Sequence, residues 1–232
     1  MKKGMLIVIE SGTDASGKAT QAEKLCARLR NAHVNAIKAE FPNYKSESSA
    51  LIKMYLKGEF GENPEQVNPY ASSTFFAVDR FATYQKELKS FYETGGIIIA
   101  DRYSTSNMIY QSSKFEKVKE RDEFLEWLWD LEFKKFELPE PKHVIFLDIP
   151  PQVSINLLKK RKEKIIDLKG KDIHEKDINY INKTYQNAKY IAKKFNWKII
   201  NCMKNNKNLK TIEEIHEEIY SFWELIKKGE GI

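Results

Sequence analysis

Met5-Leu-Ile-Val-Ile-Glu-Ser-Gly-Thr-Asp-Ala-Ser-Gly-Lys-Ala-Thr20 is the stretch that decides the fold. Five apolar residues, three of them β-branched, run up to Glu10 and stop at Ser11-Gly12. That is the pattern of a short strand buried on both faces of a parallel sheet. Gly12 and Gly17 bracket the next turn, and a helix is expected over 17–31, with Leu25 and Leu29 on one side. A glycine-bounded turn between strand and helix gathers backbone N–H groups, the helix N-terminus and the Lys18 cation around one point, which suits phosphate. One position departs from this pattern: Ala19 stands where a Ser or Thr hydroxyl normally meets Mg²⁺.

Working outward, further short apolar runs read as strands at 34–41, ended by Pro42, at 97–100, ended by Asp101, at 143–148 and at 197–200. Helical periodicity fills the gaps at 67–94, 119–136, 178–195 and 212–228. Strands alternating with helices predict an α/β fold, a five-stranded parallel sheet covered on both sides. No linker or repeat divides the 232 residues, so 1–232 reads as one domain. The aromatic segments Phe124–Leu131 and Tyr220–Trp223, the thiols of Cys26 and Cys202, and His33, His143 and His216 read as packing rather than chemistry.

A mean hydropathy of −0.57 with no long uncharged apolar run excludes a membrane-spanning chain. The five-residue apolar stretch after Lys3 is too short for a signal-peptide core, and two cysteines cannot build a disulfide framework. A cytoplasmic protein is expected. Of the net charge of +6, a local excess of +5 lies within 159–171, without interleaved aromatics. That concentration predicts a small polyanionic ligand rather than a nucleic acid.

Asp101-Arg102-Tyr103 leaves the carboxyl end of a strand beside the phosphate loop, where ligands bind in doubly wound sheets. It supplies an acid suited to a place near Mg²⁺ and a phosphate clamp. Arg80, within Phe75-Phe76-Ala-Val-Asp-Arg80, is a second candidate clamp.

Taken in order, five motifs resemble the thymidylate kinase family: the phosphate loop with Asp14, Phe41-Pro42-x-Tyr44, Phe76-x-x-x-Arg80, Asp101-Arg102-Tyr103-x-x-Ser106-Asn107-x-x-Tyr110, and the basic segment before Asp172-x-x-Glu175. The resemblance spans about residues 4–228. It implies a three-layer P-loop NTPase fold with a mobile lid over about 159–176, and transfer of the γ-phosphoryl of ATP to dTMP with Mg²⁺. Residues Gly12, Thr13, Asp14, Ala15, Ser16, Gly17, Lys18, Ala19 and Thr20 would bind ATP. Asp14, Lys18, Arg102 and Arg161 would be catalytic, and Asp14, Asp101 and Glu175 would lie near the metal. Phe41, Pro42 and Tyr44 would wall the acceptor site, Phe76 would stack on thymine, and Arg80, Ser106 and Asn107 would meet the nucleotide. Tyr110 would occupy the space of a ribose 2′-hydroxyl. A homodimer packed through the helices at 67–94 and 119–136 is also implied.

This sequence departs from the family at Ala19, at His174, where a tyrosine is common, and in a lid whose basic residues are lysines apart from Arg161. Ala15 stands where some members carry an arginine, which leaves Arg161, with Lys160, Lys162 and Lys164 beside it, as the source of catalytic charge. Another nucleoside or nucleoside-monophosphate kinase and a catalytically decayed nucleotide-binding protein are the alternatives. A guanine-reading switch is disfavoured by the lack of an Asn-Lys-x-Asp segment.

Overall fold

Five parallel strands form one sheet in the order β2-β3-β1-β4-β5: β1 (Met5–Glu10), β2 (Ala36–Glu40), β3 (Ile97–Asp101), β4 (His143–Asp148) and β5 (Lys198–Asn201). The structure is a computed structural model that describes residues 3–164, 178–205 and 208–230, with side chains except at 160–164. The helices are α1 (Lys18–Asn31), α2 (Ala50–Lys57), α3 (Pro69–Thr83), α4 (Lys89–Glu93), α5 (Ser104–Tyr110), α6 (Val118–Trp129), α7 (Pro151–Lys164), α8 (Ile178–Lys194) and α9 (Ile212–Glu230).

Every residue of β1 and β3 is buried. Alternate side chains point to opposite faces of a strand. Ile7 and Ile9 therefore join Leu25 and Leu29 of α1 and Ile219 and Trp223 of α9, while Leu6 and Val8 join Leu88, Tyr103 and Leu138 on the other face. This two-sided burial is why the strand reads as an unbroken apolar run. Phe124 and Trp223 are core residues, as their spacing predicts. No described helix is long and apolar enough to cross a membrane.

The strand order sets the position of the site. β1 lies between β3, with Ile9 opposite Asp101, and β4, with Glu10 opposite Phe146. The chain leaves β1 in one direction for β2 and β3 and later reaches β4 on the other side, so a crevice opens at the carboxyl end of β1.

Several boundaries differ from the sequence reading for local reasons. β2 begins at Ala36 rather than 34 because the end of α1 takes the preceding residues. His33 is left-handed (φ 58°), and Val34 N–H donates to Leu29 O at 2.9 Å, closing the helix. The helix expected over 67–94 starts at Pro69, capped by the Asn68 side chain, and widens into a π-helical turn at Tyr84–Leu88 before α4. The helix expected over 119–136 likewise ends in a π-helical turn at Asp130–Lys135. α2 and α5 have no counterpart in the periodicity reading, since helices of eight and seven residues barely develop a repeat.

Candidate active site

The turn from β1 into α1 is built around two glycines. A Cβ on Gly12 would come 2.8 Å from Ala188 Cβ and 3.2 Å from Tyr185 Cα, so α8 packs against bare backbone there. Gly17 is left-handed (φ 85°), and Ala15 shares that conformation (φ 54°) despite its side chain. Lys18 folds back into the turn, donating to Thr13 O at 2.8 Å and to Ser16 Oγ at 3.0 Å. Burial, reinforced by the positive charge of Arg102 and opposed by Asp14, Glu10 and Asp101, lowers its pKa to about 8. Ala19 and Thr20 lie exposed in the first turn of α1.

Arg102 leaves β3 with φ 66°, a conformation that costs a side-chain-bearing residue on the order of 1 kcal/mol. Its backbone N–H pairs with Ile9 O at 3.2 Å, which ties β3 to β1 at the strand ends. The guanidinium forms an ion pair with Asp14, reaches within 3.5 Å of Ser106 Oγ, and stands 5.5 Å from the centre of the Tyr110 ring. Burial, chiefly, and the nearby Asp14 push the Tyr110 hydroxyl well above the ordinary tyrosine range, so it is neutral.

Glu10 is a site residue that sequence reasoning missed. It is fully buried, accepts from Ser11 N–H (2.9 Å), Thr105 Oγ1 (2.8 Å) and Ser106 Oγ (2.7 Å), and lies 3.9 Å from Arg102 Nη1. The available signal was an acid at the end of an otherwise apolar strand. Asp79 was missed as well. Buried on α3, it accepts from Asn43 N–H at 2.8 Å and Ser48 Oγ at 2.6 Å and so holds the loop that carries Pro42 and Tyr44.

Asp14, Phe41, Pro42, Tyr44, Phe76, Arg80, Arg102, Ser106, Asn107 and Tyr110 all border one cleft of about 570 Å³. Leu56, Tyr103 and Gln111 complete it; Gln111 lies one helical turn beyond Asn107 and accepts from Ser72 Oγ at 2.7 Å. Phe41 meets Tyr103 edge-on at 5.3 Å, and Phe76 meets Tyr55 edge-on at 6.2 Å. Arg80 is almost fully buried, and Glu132, with no exposed surface, receives its Nε at 2.7 Å and its Nη2 at 2.5 Å. Asn107 Nδ2 donates to Ser73 O at 3.2 Å. A second cleft of about 380 Å³ runs along Gly12–Asp14 toward Leu158, Tyr180 and Thr184 and meets the first at Asp14 and Tyr110.

Of the buried side-chain oxygens that lack a hydrogen-bond partner among the described residues, four lie just past the carboxyl ends of two neighbouring strands: Ser11 Oγ and Thr13 Oγ1 beyond β1, and Asp101 Oδ1 and Ser104 Oγ at the end of β3. Such atoms gathered at one end of a sheet are the mark of a polar ligand. Among the described residues no three acidic, His or Cys side chains cluster as a metal cage. Mg²⁺ held by one or two carboxylates plus substrate phosphates needs no such cage, and the unpartnered Asp101 Oδ1 fits that role. Residues 165–176 of the expected lid, His174 and Glu175 among them, and the Arg161 side chain lie outside the described residues, whereas 159–164 form the last turns of α7.

The family model for thymidylate kinase matches residues 9–219. A probable thymidylate kinase of Thermococcus kodakarensis is 29% identical over 225 residues, covering 96% of this chain and 98% of its own. The thymidylate kinase of Plasmodium falciparum is 29% identical over 218 residues, covering 94% and 89%. Among solved structures, the thymidylate kinase of Candida albicans superposes with a TM-score of 0.67 at 24% identity, covering 97% of this chain and 93% of that one. That of Ehrlichia chaffeensis gives 0.65 at 18%, covering 96% and 100%. Sheet order, phosphate turn and family model agree: this chain belongs to the thymidylate kinase family, ATP-dependent enzymes that phosphorylate dTMP to dTDP.

Proposed function

We propose that dTMP occupies the 570 Å³ cleft and ATP approaches along the Gly12–Thr20 turn, so that the two phosphate groups meet between Asp14, Lys18 and Arg102. The observation that carries this reading is the convergence of ten motif residues, scattered over 97 positions, on a cleft that ends at Asp14 beside the phosphate turn. Lys18 exchanges its bonds to Thr13 O and Ser16 Oγ for phosphate oxygens of ATP. Arg102 divides its charge between Asp14 and the acceptor phosphate, easing the approach of two anions. Phosphoryl transfer needs little covalent help from protein, so positioning and charge are the main contributions of these residues.

Mg²⁺, when bound, supplies further neutralisation of the phosphate oxygens, with Asp101 and Asp14 as its protein-side carboxylates and Glu175 as a third. Phe76 stacks on the pyrimidine. Arg80 and Asn107 address its edge, Tyr110 closes the space a 2′-hydroxyl would need, and Phe41, Pro42, Tyr44 and Ser106 shape the sugar and phosphate end. The lid over about 159–176, with Arg161, closes over the phosphates and excludes water. Two copies pack through α3, which exposes Val78 and Phe81, and α6, which exposes Val118 at its first turn. Two buried, unpaired cysteines suit work in the reducing cytoplasm.

A coupled ADP-release assay with dTMP, dUMP, dCMP and thymidine as acceptors tests the reading. dTMP is expected to be used best and dUMP less well, since one methyl in an apolar pocket contributes about 1–3 kcal/mol, with dCMP far behind. Equal kcat/KM for dTMP and dCMP would overturn the thymine assignment. No turnover with any acceptor would favour a nucleotide-binding protein without activity.

A further inference from the structure

Glu132 belongs to none of the motifs, yet it is the partner that determines how Arg80 is held. It comes from the π-helical turn Asp130–Lys135, and the helix that carries Arg80 also widens into a π-helical turn four residues on, at Tyr84–Leu88. Such turns recur where a helix must aim a side chain for function. The pair is bidentate, Nε to Oε2 at 2.7 Å and Nη2 to Oε1 at 2.5 Å, so the planar fork cannot rotate. The Tyr103 ring, its centre 5.5 Å from Arg80 Cζ and its hydroxyl bonded to Pro139 O at 3.1 Å, covers one side of that plane.

Stability does not explain this arrangement. A buried ion pair is commonly no more stabilising than the apolar side chains that could replace it, because desolvation offsets the attraction. What it provides is a rigid set of donors with its charge offset. A guanidinium has no acceptor, so it presents only N–H groups to the cleft. With Glu132 cancelling its charge, Arg80 suits an uncharged carbonyl better than a phosphate, and the carboxylate takes one N–H of Nε and one of Nη2, leaving the Nη1 pair and the second Nη2 N–H for a ligand.

Building on the reading of this cleft as the acceptor site, we infer that Glu132 is the positioning residue that orients Arg80 and thereby makes the enzyme prefer a pyrimidine with a carbonyl at its outer edge over one with an exocyclic amine. A carbonyl there accepts from the fixed fork. An amine meets donor with donor and leaves buried groups unpaired.

The test compares Glu132→Gln and Glu132→Asp with the unaltered enzyme, measuring kcat and KM for dTMP and dCMP, KM for ATP, and the melting temperature. Glu132→Gln keeps the shape but puts a donor against the guanidinium, and Glu132→Asp keeps the charge but withdraws it by one methylene. Both are expected to raise KM for dTMP by about tenfold, the scale of one hydrogen bond made by a charged donor. The dTMP-to-dCMP ratio of kcat/KM should narrow by a similar factor, with kcat and KM for ATP within about threefold. A folded variant with KM for dTMP and that ratio unchanged overturns the inference, as does a uniform loss that tracks only the melting temperature. Should neither variant fold, the joint replacement Arg80→Met with Glu132→Leu removes both charges together; a retained ratio overturns the inference, and a lost ratio assigns the preference to the Arg80–Glu132 pair acting as a unit. An unaltered enzyme inactive toward dTMP fails the acceptor-site reading itself, a different result from any of these.

Discussion

Lys18 shows how one residue's environment sets the conditions under which the enzyme can work. Its ammonium is buried against Thr13 O and Ser16 Oγ, and burial lowers its pKa to about 8. Because the shift is downward, the cation proposed to capture ATP is present below about pH 8 and lost above it, while an incoming polyphosphate favours the protonated form. kcat/KM for ATP, which reports the free enzyme, is therefore expected to fall above about pH 8, approaching one decade per pH unit. A profile flat to about pH 10 contradicts this assignment, since that is where an unperturbed lysine titrates. Lys18 was legible from its place after Gly17. Glu10 and Asp79 were not, because a carboxyl buried by tertiary hydrogen bonds looks like any other acid in a linear chain.

At the scale of elements, the floor beneath Phe76 depends on one further, half-buried cation. Lys114, in the turn after α5, donates to Val67 O at 2.9 Å, approaches the Tyr55 hydroxyl at 3.5 Å, and stands 5.6 Å from that ring's centre. It thus ties α5 to the segment between α2 and α3, where Tyr55 and Val67 pack against Leu56 and Phe76. Burial lowers its pKa to about 7 from an ordinary 10.5. Between those values the unfolded chain binds more protons than the native one, so this group makes stability rise with pH across that window. Lys114→Met is expected to flatten that rise, read as urea midpoints from pH 7 to 10 in variant and unaltered enzyme. An identical slope in both would show that Lys114 titrates normally. The π-helical turns in the two long helices were beyond sequence reading for a related reason. Apolar periodicity runs through both with little interruption, and only packing reveals where each helix widens.

For the whole molecule, α3 presents Val78 and Phe81 to solvent, 42% and 39% exposed, with Phe81 against Phe136 at 5.4 Å. Large apolar side chains three positions apart on one helix face suit a second copy of the chain better than water. Phe81→Glu is expected to shift the protein from dimer to monomer in sedimentation velocity, with its circular dichroism retained. An unaltered enzyme that sediments as a monomer would end the dimer proposal. What the sequence by itself determined is the parallel sheet and the glycine-bounded turn after β1, while the cleft residues were named by the family resemblance that their motifs carry. Sheet and turn rest on local rules: a strand buried on both faces must be apolar throughout, and a turn with left-handed backbone favours glycine. Only the tertiary structure decided which charges face each other. Arg80 with Glu132, Arg102 with Asp14 and Glu10, and Asp79 with the 41–48 loop join residues from 31 to 92 positions apart. Those pairings arise because the strand order brings distant segments to the carboxyl end of the sheet, where a buried charge must find its partner within the fold.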